Sequence, residues 1–268
     1  MSEKLPISAH ILTFNSAATV ERALKSAQNC AEIIVVDGGS TDGTFDIAKK
    51  YGATVLPQGP KDSQGKRIED FSAVRNIALL ASTQPWVLAL DSDEYLSQEL
   101  QHELSKAASS TPAAYYVPRK YVLGDGRVVD HATTYPNERL YFFHRDAVKE
   151  WVKPVHERPQ IREGIPVKRL KGASLAPLGT LEEYKEKNLR YLQIEVKKSA
   201  GKGWGNWILH RVLHTLRSRL IALVRLALIW LLPRRGVRLP LRQELLRFWY
   251  GWKLIVATCP LCVQRGNN

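Results

Sequence analysis

At 268 residues and 44% hydrophobic content, the chain is long enough to bury a large core and still carry an appendage, so size does not limit the fold. Its 3 cysteines exclude a disulfide framework. The formal charge of +13 is concentrated: residues 197–268 hold 14 Lys and Arg against the single acid Glu244, while the 25 basic residues before them are matched by 25 acids, so a neutral body is followed by a basic tail.

No positively charged start with an apolar run precedes Leu5, so a cleaved secretory signal is not expected and the body should stay cytoplasmic. "PISAHILTF" (6–14) is apolar and β-rich, and "AATVERALKSA" (17–27) sets Val20, Ala23, Leu24 and Ala27 at helical spacing. A second strand-helix unit follows, "EIIVVD" (32–37) being a β-branched run of the kind buried on both faces and "GGSTDGT" (38–44) supplying a turn and caps before "FDIAKKYG". "ATVLP" (53–57) is a third strand, "FSAVRNIALLAS" (71–82) a helix and "WVLAL" (86–90) a fourth strand. This alternation predicts an α/β fold with an open, mostly parallel Rossmann-like sheet flanked by helices. From Pro112 the short strands "AAYYVPRKYVL", "RLYFFHR" and "IPVKRL" predict a mixed or antiparallel extension of that sheet. The helical pattern of 181–199 is expected to close the domain, giving units 1–200 and 201–268.

Ligands on such sheets bind beyond the carboxyl ends of the strands. Three polar clusters fall there: Thr13 with Asn15, Asp37 with Ser40 and Asp42, and Asp91 with Asp93. Asp91 and Asp93 are two apart, so both can reach one hard cation such as Mg²⁺ or Mn²⁺, or they can merely begin the helix that follows "DSDEYL". Asp37 can accept hydrogen bonds from a base or from ribose hydroxyls, or serve a turn and N-cap. Arg75 is a phosphate contact or a surface ion pair. In "VHERP" (155–159), His156 can add a metal ligand and Glu157 can act as a general base, against the plainer reading of a loop ion pair. His131 and His144 have no such context and are read as structural, and "CPLC" (259–262) lacks a second ligand pair, leaving two thiols in apolar surroundings.

The ordered blocks "ISAHILTFNSAATVERALKSA", "EIIVVDGGSTDGTFDIAKKYGA" and "FSAVRNIALLASTQPWVLALDSDEYL" resemble the start of family 2 glycosyltransferases of the GT-A fold, and "RLYFFHRDAVKEWVKPVHERP" resembles the branch containing bacterial lipopolysaccharide-core β-glucosyltransferases. The resemblance implies a nucleotide pocket lined by Thr13, Asn15, Asp37 and Ser40, and a metal on Asp91, Asp93 and His156 that holds the diphosphate together with Arg75. It makes Glu157 the base of an inverting transfer from a nucleotide-diphosphate sugar, UDP-linked by preference, to a glycan or glycolipid, and leaves Glu94 as a helix-start residue or acceptor contact. Gly38 stands where many relatives carry an acid or serine, and no Gln-x-x-Arg-Trp occurs, which argues against the processive polysaccharide synthases. Two other classes stay in view: a nucleotidyltransferase, for which no N-terminal Gly-rich loop with lysine is present, and a nucleotide sensor whose basic tail grips nucleic acid.

The tail favours a different partner from nucleic acid. In 206–233, Leu209, Leu213, Leu216, Leu220, Leu223 and Ala227 form one stripe, and Arg211, His214, Ser218 and Arg225 another. Its most apolar part, 220–232, contains Arg225 and falls short of the ~20 residues that span a bilayer. Segment 239–263 adds Trp249, Tyr250 and Trp252 beside Arg247 and Lys253. Aromatic and cationic residues on amphipathic helices suit an anionic membrane surface, with peripheral attachment at the inner face expected through 206–263. Part of this apolar surface is also expected to pack on the body or on a second copy of the chain.

Overall fold

The computed structural model describes residues 4–60, 65, 68, 70–154, 156–232 and 235–265. Val155 of the Val-His-Glu segment lies outside the described residues. The chain separates into two compact units, Met1–Lys120 with Pro136–Pro177, and Tyr121–Tyr135 with Leu178–Asn268.

The first unit runs β1 (Leu5–Thr13), α1 (Ala17–Ser26), β2 (Cys30–Asp37), α2 (Thr44–Lys50), β3 (Thr54–Pro57), α3 (Phe71–Ala81), β4 (Trp86–Asp91), β5 (Tyr95–Leu96), α4 (Gln98–Ala107), β6 (Ala114–Val122), β7 (Glu138–His144), β8 (Val148–Val152), β9 (Arg158–Ile161), β10 (Val167–Arg169) and β11 (Ser174–Pro177). The main sheet has the order β3-β2-β1-β4-β7-β6-β11-β5, with β10 also on β6. Its first four strands are parallel, β7 is antiparallel to both β4 and β6, and β8 pairs with β9 in a separate ribbon. This is the expected flanked α/β sheet, parallel in its first half and mixed in its second.

The continuous apolar runs of β1 and β2 follow from burial on both faces. Ile7, Ala9 and Ile11 pack with Val20, Ala23 and Leu24 of α1, whereas Leu12, Ile34 and Val36 meet Val74 and Ala78 of α3. Each large side chain so buried contributes about 1.5–3 kcal/mol, and a shift of one residue would exchange the two faces. On the α3 side, His10 Nε2 is 2.6 Å from Ser82 Oγ. Burial, then the charges of Arg75 and Arg145, push His10 down to about 3, so it is a neutral core residue. Register aligns the strand ends: Thr13 pairs with Asp37, and Leu12 with Asp91.

The second unit contains α5 (Leu181–Ser199), α6 (Trp204–Asn206), a π-helical segment (Trp207–Leu213), α7 (His214–Leu231), α8 (Leu241–Ala257) and α9 (Pro260–Arg265). Thr180 and Glu183 form a reciprocal capping box at the start of α5. This helix, expected to close the first domain, groups instead with the later helices and with segment 121–135, so the division departs from a cut at 200. Glu244, the lone acid of the tail, is buried and accepts hydrogen bonds from Thr133 N at 2.7 Å and from Thr133 Oγ1. Arg247 Nη1 donates to Thr133 Oγ1 at 2.6 Å, and Arg225 Nη1 donates to the carbonyls of Thr133 and Tyr135. Among the described residues no helix is long and apolar enough to cross a membrane.

Candidate active site

The loops after β1 and β2 are cross-linked through Asp37. Its Oδ1 accepts from Thr13 Oγ1 at 2.7 Å and Ser40 Oγ at 2.6 Å, and its Oδ2 from the backbone N–H groups of Gly39 at 2.8 Å and Ser40 at 2.7 Å. A carboxylate has about four acceptor positions, so this set occupies Asp37 fully. Thr13, Asn15, Asp37 and Ser40 are thus brought together, and the hydrogen bonds of Asp37 shape this loop. Asn15 adopts φ 48°, a conformation asparagine tolerates, and its Oδ1 accepts from Thr41 N at 3.0 Å while Ser40 Oγ takes its own N–H at 2.8 Å. Gly38 is glycine for a packing reason: a Cβ there would lie 2.8 Å from Phe14 Cδ2 and 3.0 Å from Gln58 Oε1.

The loop after β4 is joined to the loop after β1 by Ser16 Oγ and Ser92 Oγ, 3.2 Å apart. Asp91, Asp93 and Glu94 bring ligand oxygens within 4.8 Å of one another. Asp93 is exposed, while Glu94, at 1%, is buried against Arg119 and accepts from Ser174 Oγ at 2.8 Å. Asp91 lies between two guanidinium groups, Arg75 Nη2 at 2.7 Å from Oδ1 and Arg139 Nη1 against Oδ2. Arg139 Nη1 is also 3.6 Å from Glu94 Oε1. On the far side, Arg75 Nε is 3.6 Å from Glu157 Oε1, which also accepts from the Tyr141 hydroxyl at 3.1 Å. One chain of contacts therefore runs Glu94–Arg139–Asp91–Arg75–Glu157.

Residues 8–159 match the model of glycosyl transferase family 2, which is more than half of the chain. The chain belongs to this family. Lipopolysaccharide core biosynthesis glycosyltransferase LpsC of Rhizobium meliloti is 32% identical over 143 residues, 52% of either chain. An uncharacterized glycosyltransferase of Rickettsia bellii is 42% identical over 107 residues, 39% of this chain and 34% of that one. The chain thus spans about half the length of the first of these curated relatives and about a third of the second. Among solved structures, S. aureus TarS 1–349 in complex with UDP aligns at TM-score 0.47 and 17% identity, covering 96% of this chain and 82% of that one. Glucosyl-3-phosphoglycerate synthase from Mycobacterium tuberculosis in complex with Mn²⁺, UDP and glucosyl-3-phosphoglycerate aligns at TM-score 0.43 and 19% identity, covering 66% of this chain and 74% of that one.

Within this glycosyltransferase domain, burial would raise the Asp91 carboxyl, but Arg139 and Arg75 outweigh it and hold the group well below the usual carboxylate range. Burial and then Asp91 push Glu94 upward, against Arg119 and Arg139. Burial also raises Tyr141, which stays a phenol and a donor to Glu157. The clustered oxygens suit a hard divalent cation, with Asp93 exposed and each Asp91 oxygen retaining a lone pair beside its arginine. Two expectations change. His156, exposed and at φ 59°, is not part of the carboxylate group, whose third member is Glu94. Arg75 is 1% exposed, flanked by the rings of Tyr141 at 5.1 Å and Trp151 at 5.5 Å, so it braces the carboxylates from behind and presents no surface to a diphosphate here. Arg139, Tyr141 and Arg119 were not anticipated, although Arg139 and Tyr141 stand two apart in "RLY" and so share one face of β7.

Proposed function

We propose that the chain is an inverting, divalent-metal-dependent glycosyltransferase that moves a sugar from a nucleotide-diphosphate sugar, UDP-linked by preference, to a glycan or glycolipid acceptor in bacterial lipopolysaccharide synthesis. The observation that carries this reading is the Asp91–Arg75–Glu157 chain of ion pairs at the carboxyl end of β4, which links the carboxylate proposed for the metal to the one proposed as base. The family match supports the reaction class, and the name of LpsC supports the acceptor class.

Asp91, Asp93 and Glu94 are the groups that would hold Mg²⁺ or Mn²⁺. When bound, the ion supplies stabilisation of the negative charge on the departing nucleoside diphosphate. Glu157 takes the proton of the acceptor hydroxyl on its carboxylate as that oxygen attacks the anomeric carbon from the face opposite the leaving group, so one displacement inverts the configuration. Tyr141 and Arg75 keep Glu157 oriented for that step. The loops built on Thr13, Asn15, Asp37 and Ser40 shape the nucleotide end. A panel of activated sugars, incubated with lipid extract and either ion, tests this by nucleoside-diphosphate release. Release from a UDP-sugar that is abolished by chelation is expected, and chelator-insensitive transfer would remove the metal from the scheme.

The reading includes peripheral attachment at the inner membrane face through 206–263. Leu209, Leu213, Leu216, Leu220 and Leu223 are between 51% and 63% exposed, an apolar stripe far larger than scattered surface leucines. The basic tail opposes self-association by like charge and suits an anionic bilayer. The full chain should co-sediment with vesicles containing anionic phospholipid, and less so with Leu216, Leu220 and Leu223 changed to Ser. Undiminished binding by that variant would count against attachment through this stripe.

A further inference from the structure

The carboxylates offered to a cation are paired with arginines, Asp91 with Arg75 and Arg139 and Glu94 with Arg119 and Arg139. We propose that Arg139 is a diphosphate-binding residue that doubles as an exchangeable cover on the metal site, leaving Asp91 and Glu94 to the cation when it pairs with phosphate, so that metal and nucleotide bind cooperatively. This rests on the metal- and nucleotide-dependent reading of the same site.

The three arginines are not equivalent. Side-chain exposure is 1% for Arg75, 15% for Arg119 and 31% for Arg139, so Arg139 is the member of this trio best able to meet an incoming anion. Its guanidinium is shared, Nη1 lying against Asp91 Oδ2 and 3.6 Å from Glu94 Oε1. A planar fork of this kind pairs with phosphate oxygens as readily as with carboxylates. Arg75 is fixed behind Asp91 and would hold that residue in place after the exchange. Packed between the rings of Tyr141 and Trp151, it stays out of reach of an incoming anion, which leaves that contact to Arg139.

Charge explains why neither ligand alone is favoured. A dication by itself meets Arg139 on two of the carboxylates it needs, and like charges at that distance repel. A nucleoside diphosphate by itself meets Asp91, Asp93, Glu94 and Glu157. Together they exchange partners: cation to carboxylates, Arg139 to phosphate, and every group ends opposite its complement. By linkage, whatever factor the nucleotide adds to metal affinity the metal adds to nucleotide affinity.

The test is Mn²⁺ binding to the purified full chain, read from the electron paramagnetic resonance signal of the free ion, with and without UDP. In the wild type, UDP should tighten Mn²⁺ by about 5–150-fold, the usual range of such coupling. In Arg139→Gln, Mn²⁺ alone should bind more tightly than to the wild type, while the gain from UDP shrinks toward none and UDP affinity at saturating Mn²⁺ falls. Arg139→Lys keeps a charge but loses the fork; it should change in the same direction by less, and it carries the test if the Gln variant does not fold. A residue of purely structural importance would weaken both ligands. Unchanged or weaker Mn²⁺ binding in both variants overturns the exchange while leaving the metal-nucleotide reading intact. A wild-type chain that binds Mn²⁺ equally with and without UDP does the same, and one that binds neither ligand overturns both.

Discussion

Asp91→Ala is the obvious variant for testing the metal site, yet it should damage the fold as well as the chemistry. It removes the partner 2.7 Å from Arg75 Nη2 and leaves that guanidinium, 1% exposed, with Glu157 at 3.6 Å as its remaining ion-pair partner among the described residues. Breaking a buried ion pair from one side costs about 3–5 kcal/mol, because the surviving charge keeps its desolvation cost without its partner. Since the Asp91 side chain is 30% exposed and Glu157 remains, the lower end applies, about 3 kcal/mol. With a urea slope of about 1–3 kcal/mol per molar, the unfolding midpoint of the first unit should fall by about 1–3 M. Tryptophan fluorescence can follow it, Trp151 lying 5.5 Å from the Arg75 guanidinium. Asp93 is exposed and makes no ion pair among the described residues, so Asp93→Asn should unfold at the wild-type midpoint while losing metal-dependent transfer. An Asp91→Ala chain within about 1 kcal/mol of wild type would refute the bracing role given to this carboxylate, since surface pairs are worth no more than that.

Two further outcomes follow from the same network. Glu157→Gln keeps the side-chain shape and its contact with Tyr141, so turnover should fall roughly 10²–10⁴-fold, the usual contribution of a general base, with nucleotide binding retained; near-wild-type turnover would remove the base assignment. For pH, the Asp91 carboxyl is lowered in the folded chain, so the unfolded chain takes up its proton first and the stability this group contributes, full above the ordinary carboxylate value, is lost as pH falls through and below it. Glu94 is raised and acts in the opposite sense, its ionisation costing stability as pH climbs from the ordinary value to the raised one. Urea midpoints measured below about pH 4 should therefore fall more steeply for the wild type than for Asp91→Asn, and parallel curves would contradict the assignment.

The strand ends were readable because a buried parallel strand announces its own termination. Apolar runs stop at Asn15, Asp37 and Asp91, and register then sets Thr13 beside Asp37 and Leu12 beside Asp91. What an acid does at such an end is not local. Asp37 and Asp91 look alike in sequence, yet one spends its acceptors on its own loop while the other spends them on arginines from α3 and β7. The division of the chain was obscure for the same reason: Thr133 is held by Arg225, Glu244 and Arg247, and nothing near residue 133 foretells it.

Arg139 shows where pairing geometry adds what periodicity lacks. β4 and β7 run antiparallel with Trp86 opposite His144, Val87 opposite Phe143 and Leu88 opposite Phe142. The paired residues end at Leu88 with Phe142, and beyond them Arg139 Nη1 lies against Asp91 Oδ2. Opposite charges on neighbouring strands attract, and this pair lies at the carboxyl end of β4, the rim where ligands of such sheets bind. Once β7 is known to run antiparallel beside β4, an arginine of β7 near the first carboxylate of Asp-x-Asp follows from the course of the two strands, at the point where β4 ends and the loop carrying Asp93 begins.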